Sequence, residues 1–494
     1  MRLMQKKRVL QAIVSMKEAH GFVQEQCGQQ SAETVYDMLV QLQEMAVEIG
    51  NTIEAEVEDV KELISELEIY CEQIYQCSCT LEDCLSVTNY NRDMLHQLEN
   101  IEHAISEIKV KIKVAFFPYK FSMWDSLESI WEAACNDKEC ECQVVPIPYF
   151  TKNEKNEFSE LHYEGKYFEK VCSVIDYNQY FLEKEQPDIM YIHNPYDQYN
   201  SVTMVEPQFF SDELKKHGGI LVYVPYYMSG GCMKYENMDI AYGKGAVKSD
   251  YIIVQSKALK EAYLYWGFPE RRILALGSPK IDAIYKCSVK RTETDDEWKC
   301  VTEGKKVVLL NTSIGTFLNR EGWLKQIKEM AETVLQNDNM ALIWRPHPLL
   351  QDTVKTLGKH NEDQYEQLMT FIAEAENGMI DCNADARSAI NASHAMISDY
   401  SSLVLQYTFT GKPVLLLNGS GKKSPKHLFC DFLQNYFLED GVSVENFLDM
   451  IQRGEDPKKA ERLRTATASI ENGDGTCGAK VHQTILQKLA EHIV

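Results

Sequence analysis

Two short polar clusters end apolar, β-like runs and carry the residue types that an anion site needs. They are Trp344-Arg345-Pro346-His347-Pro348 and, further along, Ser398-Asp399-Tyr400-Ser401-Ser402. A guanidinium presents a planar fork of N–H donors that matches phosphate oxygens, and an imidazole and paired hydroxyls add shorter polar reach. Ala341-Leu342-Ile343 reads as a buried strand stopped by Pro346 and Pro348. Arg345 and His347 therefore project from a strand's carboxyl end, where open α/β sheets keep their ligands. The second cluster follows His394-Ala395-Met396-Ile397, and Ser401 and Ser402 open an amphipathic segment, Leu403 to Phe409, whose first N–H groups favour a phosphate. Read more plainly, Arg345 is a surface charge at a strand end, and Ser398 or Asp399 is an ordinary helix cap. A third stretch, Thr312-Ser313-Ile314-Gly315-Thr316, ends another apolar run. Thr312 and Ser313 there suit close approach of a ribose or phosphate and equally suit a simple βα loop.

The elements that must hold these clusters alternate. Apolar runs at 113–117, 143–147, 188–192, 220–224, 251–254 and 273–276 read as buried strands, with helix candidates such as Trp124 to Ala134 and Lys257 to Trp266 between them. The stretch Lys286 to Lys306, rich in Thr, Asp, Glu and Lys, reads as a linker. The pattern then restarts at 307–310, 341–344, 379–381, 395–397 and 413–417. Alternating β and α elements imply parallel, doubly wound sheets, and two such domains in tandem place a cleft between their strand ends. The expected domains are residues 1–110, 111–300 and 301–494. In the first, no proline precedes Pro118 and no glycine lies between Asn51 and Val110. Ile53, Val57, Val60, Ile64, Leu67, Cys71, Ile74, Ser78, Leu81 and Leu85 recur at steps of four and three, the seam of a coiled coil or helical hairpin. Its partner is either Val35, Met38, Leu39, Leu42, Met45 and Ala46, with Gly50 as the break, or a second copy of the chain.

Composition excludes several classes of function. The 494 residues carry a formal net charge of −23, so nucleic acid is not expected as a partner. No apolar run reaches the roughly 18 residues that span a bilayer, and the first residues lack a signal peptide's pattern, so a cytoplasmic protein is expected. Fifteen cysteines without a framework suit a reducing compartment. Cys77-Ser78-Cys79 and Cys140-Glu141-Cys142 lack the second pair of a zinc site, so neither metal nor cofactor is expected. Arg2, Lys6, Lys7, Arg8 and Lys17 among apolar neighbours make a basic amphipathic stretch, either a solvated helix face or a contact with the inner membrane surface.

Gly277-Ser278-Pro279-Lys280-Ile281-Asp282, Arg345-Pro346-His347-Pro348, Ser398-Asp399-Tyr400-Ser401-Ser402 and Gly411-Lys412-Pro413-Val414, in this order, resemble the CDP-glycerol glycerophosphotransferase family, which includes teichoic acid primases and polymerases. The resemblance runs from about Ile112 to the C-terminus. It implies a GT-B architecture of two Rossmann-like domains and transfer of glycerol phosphate from a CDP-activated donor to a lipid-linked or glycan acceptor. By the same likeness, the C-terminal domain holds the nucleotide, with Arg345 and His347 at the pyrophosphate and Ser401, Ser402, Asp399, Thr312 and Ser313 beside it. Two departures stand out. The family's His-Gly-Thr motif, whose histidine serves the acceptor hydroxyl, is replaced by Pro225-Tyr226-Tyr227-Met228-Ser229-Gly230-Gly231, and Gln406 stands where an aspartate is common. His193, with Asp197 to orient it, is the nearest substitute base. Lys280 and the basic loop Gly419-Ser420-Gly421-Lys422-Lys423-Ser424 are further phosphate candidates, although the loop is not a P-loop. Ser122-Met123-Trp124-Asp125 either lines the cleft or simply connects strand to helix. The competing functions are a GT-B sugar transferase with another nucleotide donor, and a nucleotide-binding scaffold that recruits partners through its helices.

Overall fold

A computed structural model of the chain describes residues 1, 3–26, 32–57, 59–152, 158–200, 203–217, 219–229, 243–289, 296–383, 385–417 and 433–493. By contact density it divides into a helical unit, mainly Met1–Lys113, and an α/β unit over most of the remainder.

The helical unit is a bundle of α1 (Leu3–Gln26), α2 (Ala32–Glu56), α3 (Lys61–Ser78) and α4 (Cys84–Glu107). Each helix packs on two neighbours in a closed ring. The core is apolar at steps of three and four: Ile13, Leu39, Ile53, Leu67, Ile74, Leu98 and Ile101 are buried together. The seam that begins at Ile53 therefore finds its partner, Val35, Leu39, Leu42 and Ala46, inside the same chain. It is not one continuous helix. Asp59 takes a left-handed φ of 60°, and Asp83 caps α4 by accepting from the Leu85 N–H at 3.2 Å. A short carboxylate that takes up backbone donors favours turns and helix starts over helix interiors. Gly50 lies within α2 and breaks nothing. Two of the basic residues, Lys6 and Lys17, are engaged within the bundle, while Arg8 is exposed and Arg2 lies outside the described residues. Val9, Ile13 and Met16 are core, Lys6 donates to the Ser106 and Ile108 carbonyls at 2.6 and 2.7 Å, and Lys17 pairs with Glu102 at 2.6 Å. One polar triad is buried inside: His20 meets Asn91 Oδ1 and Tyr70 OH, each at 2.7 Å. Among the described residues no helix is long and apolar enough to cross a membrane.

The α/β unit contains strands β1 (Ile112–Phe117), β2 (Cys140–Val144), β3 (Tyr149–Lys152), β4 (Phe158–His162), β5 (Ile189–Ile192), β6 (Thr203–Val205), β7 (Ile220–Tyr223), β8 (Tyr251–Val254), β9 (Ile273–Ala275), β10 (Lys306–Thr312), β11 (Met340–Pro346), β12 (Gly378–Ile380), β13 (Ala395–Ser398), β14 (Val414–Leu416) and β15 (Phe437–Leu438). Among the described residues they form a first sheet ordered β2-β1-β5-β7-β8-β9, a second ordered β12-β11-β10-β13-β14-β15, and a small sheet β4-β3-β6. The second sheet is parallel throughout, and β1, β5, β7, β8 and β9 pair in parallel in the first. Continuous apolar runs such as Val307–Leu310 follow from helices covering both faces of such sheets. The order reverses between β10 and β13 in one sheet and between β1 and β5 in the other, and a crevice opens at such a switch point.

Three differences from the sequence reading matter. The small antiparallel sheet has no counterpart in it, because its strands are short and mix apolar with polar residues. The stretch read as a linker is helical at Pro279–Val289 and Asp296–Thr302, and Trp298 is buried there; residues 290–295 lie outside the described residues. The chain also returns to the first sheet at its end. The Glu471 N–H donates to the Gln255 carbonyl at 2.9 Å, Asn472 reaches the Leu276 carbonyl, and the Asp282 carboxylate accepts the Cys477 and Gly478 N–H groups at the start of the helix Cys477–Ile493. Gly277 makes this return possible. Its φ is +102°, and a Cβ there would collide with the Glu471 carbonyl.

Candidate functional site

A cleft of about 920 Å³, including its open mouth, lies between the carboxyl ends of the two large sheets. Its second-domain wall is built from three adjacent strand ends. β11 delivers Arg345 and His347, β10 delivers Asn311, Thr312 and Ser313, and the turn after β13 delivers Ser401 and Ser402. Trp344 fixes β11 from beneath; it is fully buried, and its indole N–H donates to Thr312 Oγ1 at 3.3 Å. Asn311 Nδ2 reaches the hydroxyls of Ser398 at 2.8 Å and Ser401 at 3.1 Å, which locks β10 to the turn after β13. The helix that Ser401 caps, Ser402–Thr408, is two turns long. A helix end is worth about 0.3–2 kcal/mol to an anion, so the side chains must supply most of any grip on a diphosphate.

Arg345 is the anchor of this wall. Its Nη1 is paired with Asp381, which follows β12 and is 1% exposed in its side chain. Asp381 in turn accepts from Asn383 through N–H and amide at 3.0 and 2.9 Å. The ion pair with Asp381 sets the direction in which this planar fork of donors lies. His347 Nδ1 accepts the Leu349 N–H at 3.1 Å. Because a backbone N–H can only donate, the neutral ring carries its proton on Nε2, and burial lowers the pKa so that the neutral form prevails at pH 7. His347 is thus a hydrogen-bond donor to the cleft.

Asp399 does not line the cleft. It is fully buried and accepts the Ser313 N–H at 3.0 Å and the Ser313 hydroxyl at 2.8 Å, and burial raises its pKa. Its work is to hold the end of β10.

The first-domain wall has a different character. The turn Phe121–Ser126 after β1 contributes Ser122, Met123 and Asp125, Tyr226 follows β7, and Lys280 comes from the start of the helix Pro279–Val289. Lys280 is not a solvated lysine. Its side chain is 5% exposed, and its Nζ lies 2.6 Å from both oxygens of Asp125. His193 is fully buried and absent from the lining. Nε2 accepts the Tyr119 N–H at 3.1 Å, and Nδ1 lies 3.0 Å from Ser126 Oγ and 3.3 Å from the Met123 carbonyl. Burial pushes its pKa down to about 3. Asp197, expected to orient it, instead accepts from the Ser211 N–H at 3.1 Å and its hydroxyl at 2.5 Å.

Sequence reasoning passed over Asp381, Asp385, Arg387 and Asn311. Arg387 Nε donates to Asp385 at 2.7 Å, and its Nη1 pairs with Glu128 of the first domain, so one guanidinium ties the two walls. The signal was present: Asp381 ends a predicted strand and Asp385 and Arg387 follow it, at the same kind of strand end that flagged Arg345. The loop 419–424 and Gly230 and Gly231 lie outside the described residues.

Two Rossmann-like domains facing each other over a cleft whose second-domain wall presents N–H and O–H donors define a GT-B-type protein. The chain belongs to the CDP-Glycerol:Poly(glycerophosphate) glycerophosphotransferase family, whose profile matches residues 233–487, just over half of its length. It is therefore a transferase of the glycerophosphotransferase type. Among solved structures it is similar to a putative UDP-N-acetylglucosamine 2-epimerase from Listeria monocytogenes, with 16% identity over 77% of this chain and 98% of that one and a TM-score of 0.51. It is also similar to the wall teichoic acid polymerase TagF soaked with CDPG, with 16% identity over 80% of this chain and 94% of that one and a TM-score of 0.50. At such identities the likeness is one of fold. No curated protein matches the sequence.

Proposed function

We propose that the chain transfers glycerol phosphate from CDP-glycerol to the hydroxyl of a lipid-linked or glycan acceptor, releasing CMP, in the making of a teichoic-acid-like polymer. One observation carries this reading: Arg345, His347, Ser401 and Ser402, far apart in sequence, line one cleft together with Thr312 and Ser313, in a chain of this family. A CDP-linked donor also agrees with the soak of TagF in CDPG.

Phosphoryl transfer runs through a loose transition state, and the protein's part is positioning and charge stabilisation. Arg345, oriented by Asp381, grips pyrophosphate oxygens through the fork. His347 Nε2–H and the two serine hydroxyls donate to the oxygens where charge grows as CMP departs. The acceptor enters from the first-domain side. His193, closed off from the cleft, holds the turn Phe121–Ser126 in place. The test is CMP release from CDP-glycerol by the purified chain, followed by chromatography, with a glycerol-phosphate-primed acceptor present. CMP that accumulates only with acceptor supports the proposal. A chain that leaves CDP-glycerol intact and consumes a nucleotide sugar instead is a sugar transferase on the same scaffold.

A further inference from the structure

The resemblance implies a histidine after β7, the sequence 225–231 contains none, and an attacking hydroxyl must still lose its proton. The groups on the walls can be taken in turn. His193 is buried with both ring nitrogens engaged, and His347 already carries its proton on the nitrogen left for the cleft. Tyr226 lines the cleft, but burial raises its phenol further from neutrality. Among the described lining residues two carboxylates remain, Asp125 and Asp385. Asp385 accepts from the Arg387 N–H at 2.9 Å and Nε at 2.7 Å, and it belongs to the second-domain wall, beside the residues assigned to the diphosphate rather than to the acceptor. Asp125 stands on the first-domain wall, where the acceptor enters, with its side chain 14% exposed. Each of its oxygens meets Lys280 through one lone pair, which leaves the others for a hydroxyl.

We propose that Asp125 is the general base that receives the proton of the acceptor hydroxyl, with Lys280 holding its carboxylate in place. This rests on the transferase reading above. The acceptor oxygen bonds to the glycerol-bearing phosphorus, the bond from that phosphorus to the bridging oxygen breaks, and the electron pair leaves with CMP. The acceptor proton passes to a carboxylate oxygen of Asp125 and then to water. A carboxylate suffices because in a loose transition state the proton moves late, as it does to the aspartate of kinase catalytic loops. Lys280 and, more distantly, Arg387 are the cations facing Asp125; they keep the carboxylate from repelling an incoming diphosphate.

The experiment compares CMP release and CMP binding in three proteins. Asp125→Asn loses CMP release by about 10² or more, the worth of a general base, while calorimetric CMP affinity stays at the wild-type value. The double variant Asp125→Asn/Lys280→Met removes both charges. It stays as inactive as the single variant if Asp125 takes the proton, and regains activity if Asp125 merely neutralises Lys280, which overturns the proposal. A wild-type chain that releases no CMP removes both this inference and the function it rests on. An active wild type with an equally active Asp125→Asn removes this inference alone.

Discussion

The two walls of the cleft solve different problems with similar residues. The second-domain wall presents donors whose partners lie behind them: Asp381 behind Arg345, the Leu349 N–H behind His347, Asn311 behind Ser401. The first-domain wall spends its histidine and its lysine on each other's surroundings, with His193 bracing the turn that carries Asp125 and Lys280 closing on that aspartate. A wall for a diphosphate must offer many fixed donors. A wall for a neutral hydroxyl needs one acceptor, held still. The difference teaches that a charged residue at a strand end is informative only once its partner is known.

The comparison breaks most readily at Arg345. Arg345→Ala leaves Asp381 buried without its cation, which should lower folding stability by about 3–5 kcal/mol, and it separately removes the fork from the diphosphate, so CMP release should fall by about 10³ and CMP affinity should weaken. Arg345→Lys should recover little, because a point charge cannot be bidentate. If titration calorimetry finds CMP binding intact in Arg345→Ala, the donor does not lie against the second-domain wall. A smaller effect is expected at His347. His347→Ala should cost about 10² in CMP release, whereas His347→Gln, whose amide can still donate, should keep a measurable part of it. A glutamine variant as poor as alanine would mean that the imidazole does more than donate.

How much of this was legible follows from the kind of contact involved. Arg345, His347, Ser401 and Ser402 could be placed because apolar runs and prolines mark strand ends, and strand ends in parallel sheets share one edge. Five strands of the second sheet were readable for the same reason, as continuous apolar runs; their order and the two-residue edge strand Phe437–Leu438 were not. Asp399 and His193 misled because a sequence shows the type of a residue at a strand end but not which way it turns; one faces Ser313 and the other Tyr119 and Ser126. Asp381 was missed, and the turn that carries Asp125 was left open between lining the cleft and a mere connection, because their partners lie 36 and 155 residues away. Within the bundle the expected seam holds in part: Ile53, Leu67 and Ile74 are buried, but the core line of α3 also takes Leu63, Tyr70 and Cys77 in place of Ile64, Cys71 and Ser78, and Leu85 is 71% exposed.

The smallest effect on turnover, and the sharpest test of the wall comparison, belongs to His193. Its folded pKa of about 3 lies below the ordinary 6.5, so the unfolded chain binds the extra proton first. The stability that neutral His193 contributes is complete above pH 6.5 and is lost as pH falls from there towards 3, at about 1.4 kcal/mol per pH unit for one proton. His20 in the bundle and His347 and His394 in the second domain are also lowered by burial and add to the same acid limb. His193→Asn should therefore flatten the dependence of urea stability on pH between 6.5 and 4 by about one proton, lower stability at pH 7 by about 1–3 kcal/mol through lost hydrogen bonds, and leave CMP affinity unchanged. Turnover should drop by less than it does for His347→Ala, since a loosened turn misplaces Asp125 without removing it. If His193→Asn keeps its pH dependence of stability but loses turnover as completely as Asp125→Asn, the histidine takes part in proton transfer and the first-domain wall works more like the second than its geometry implies.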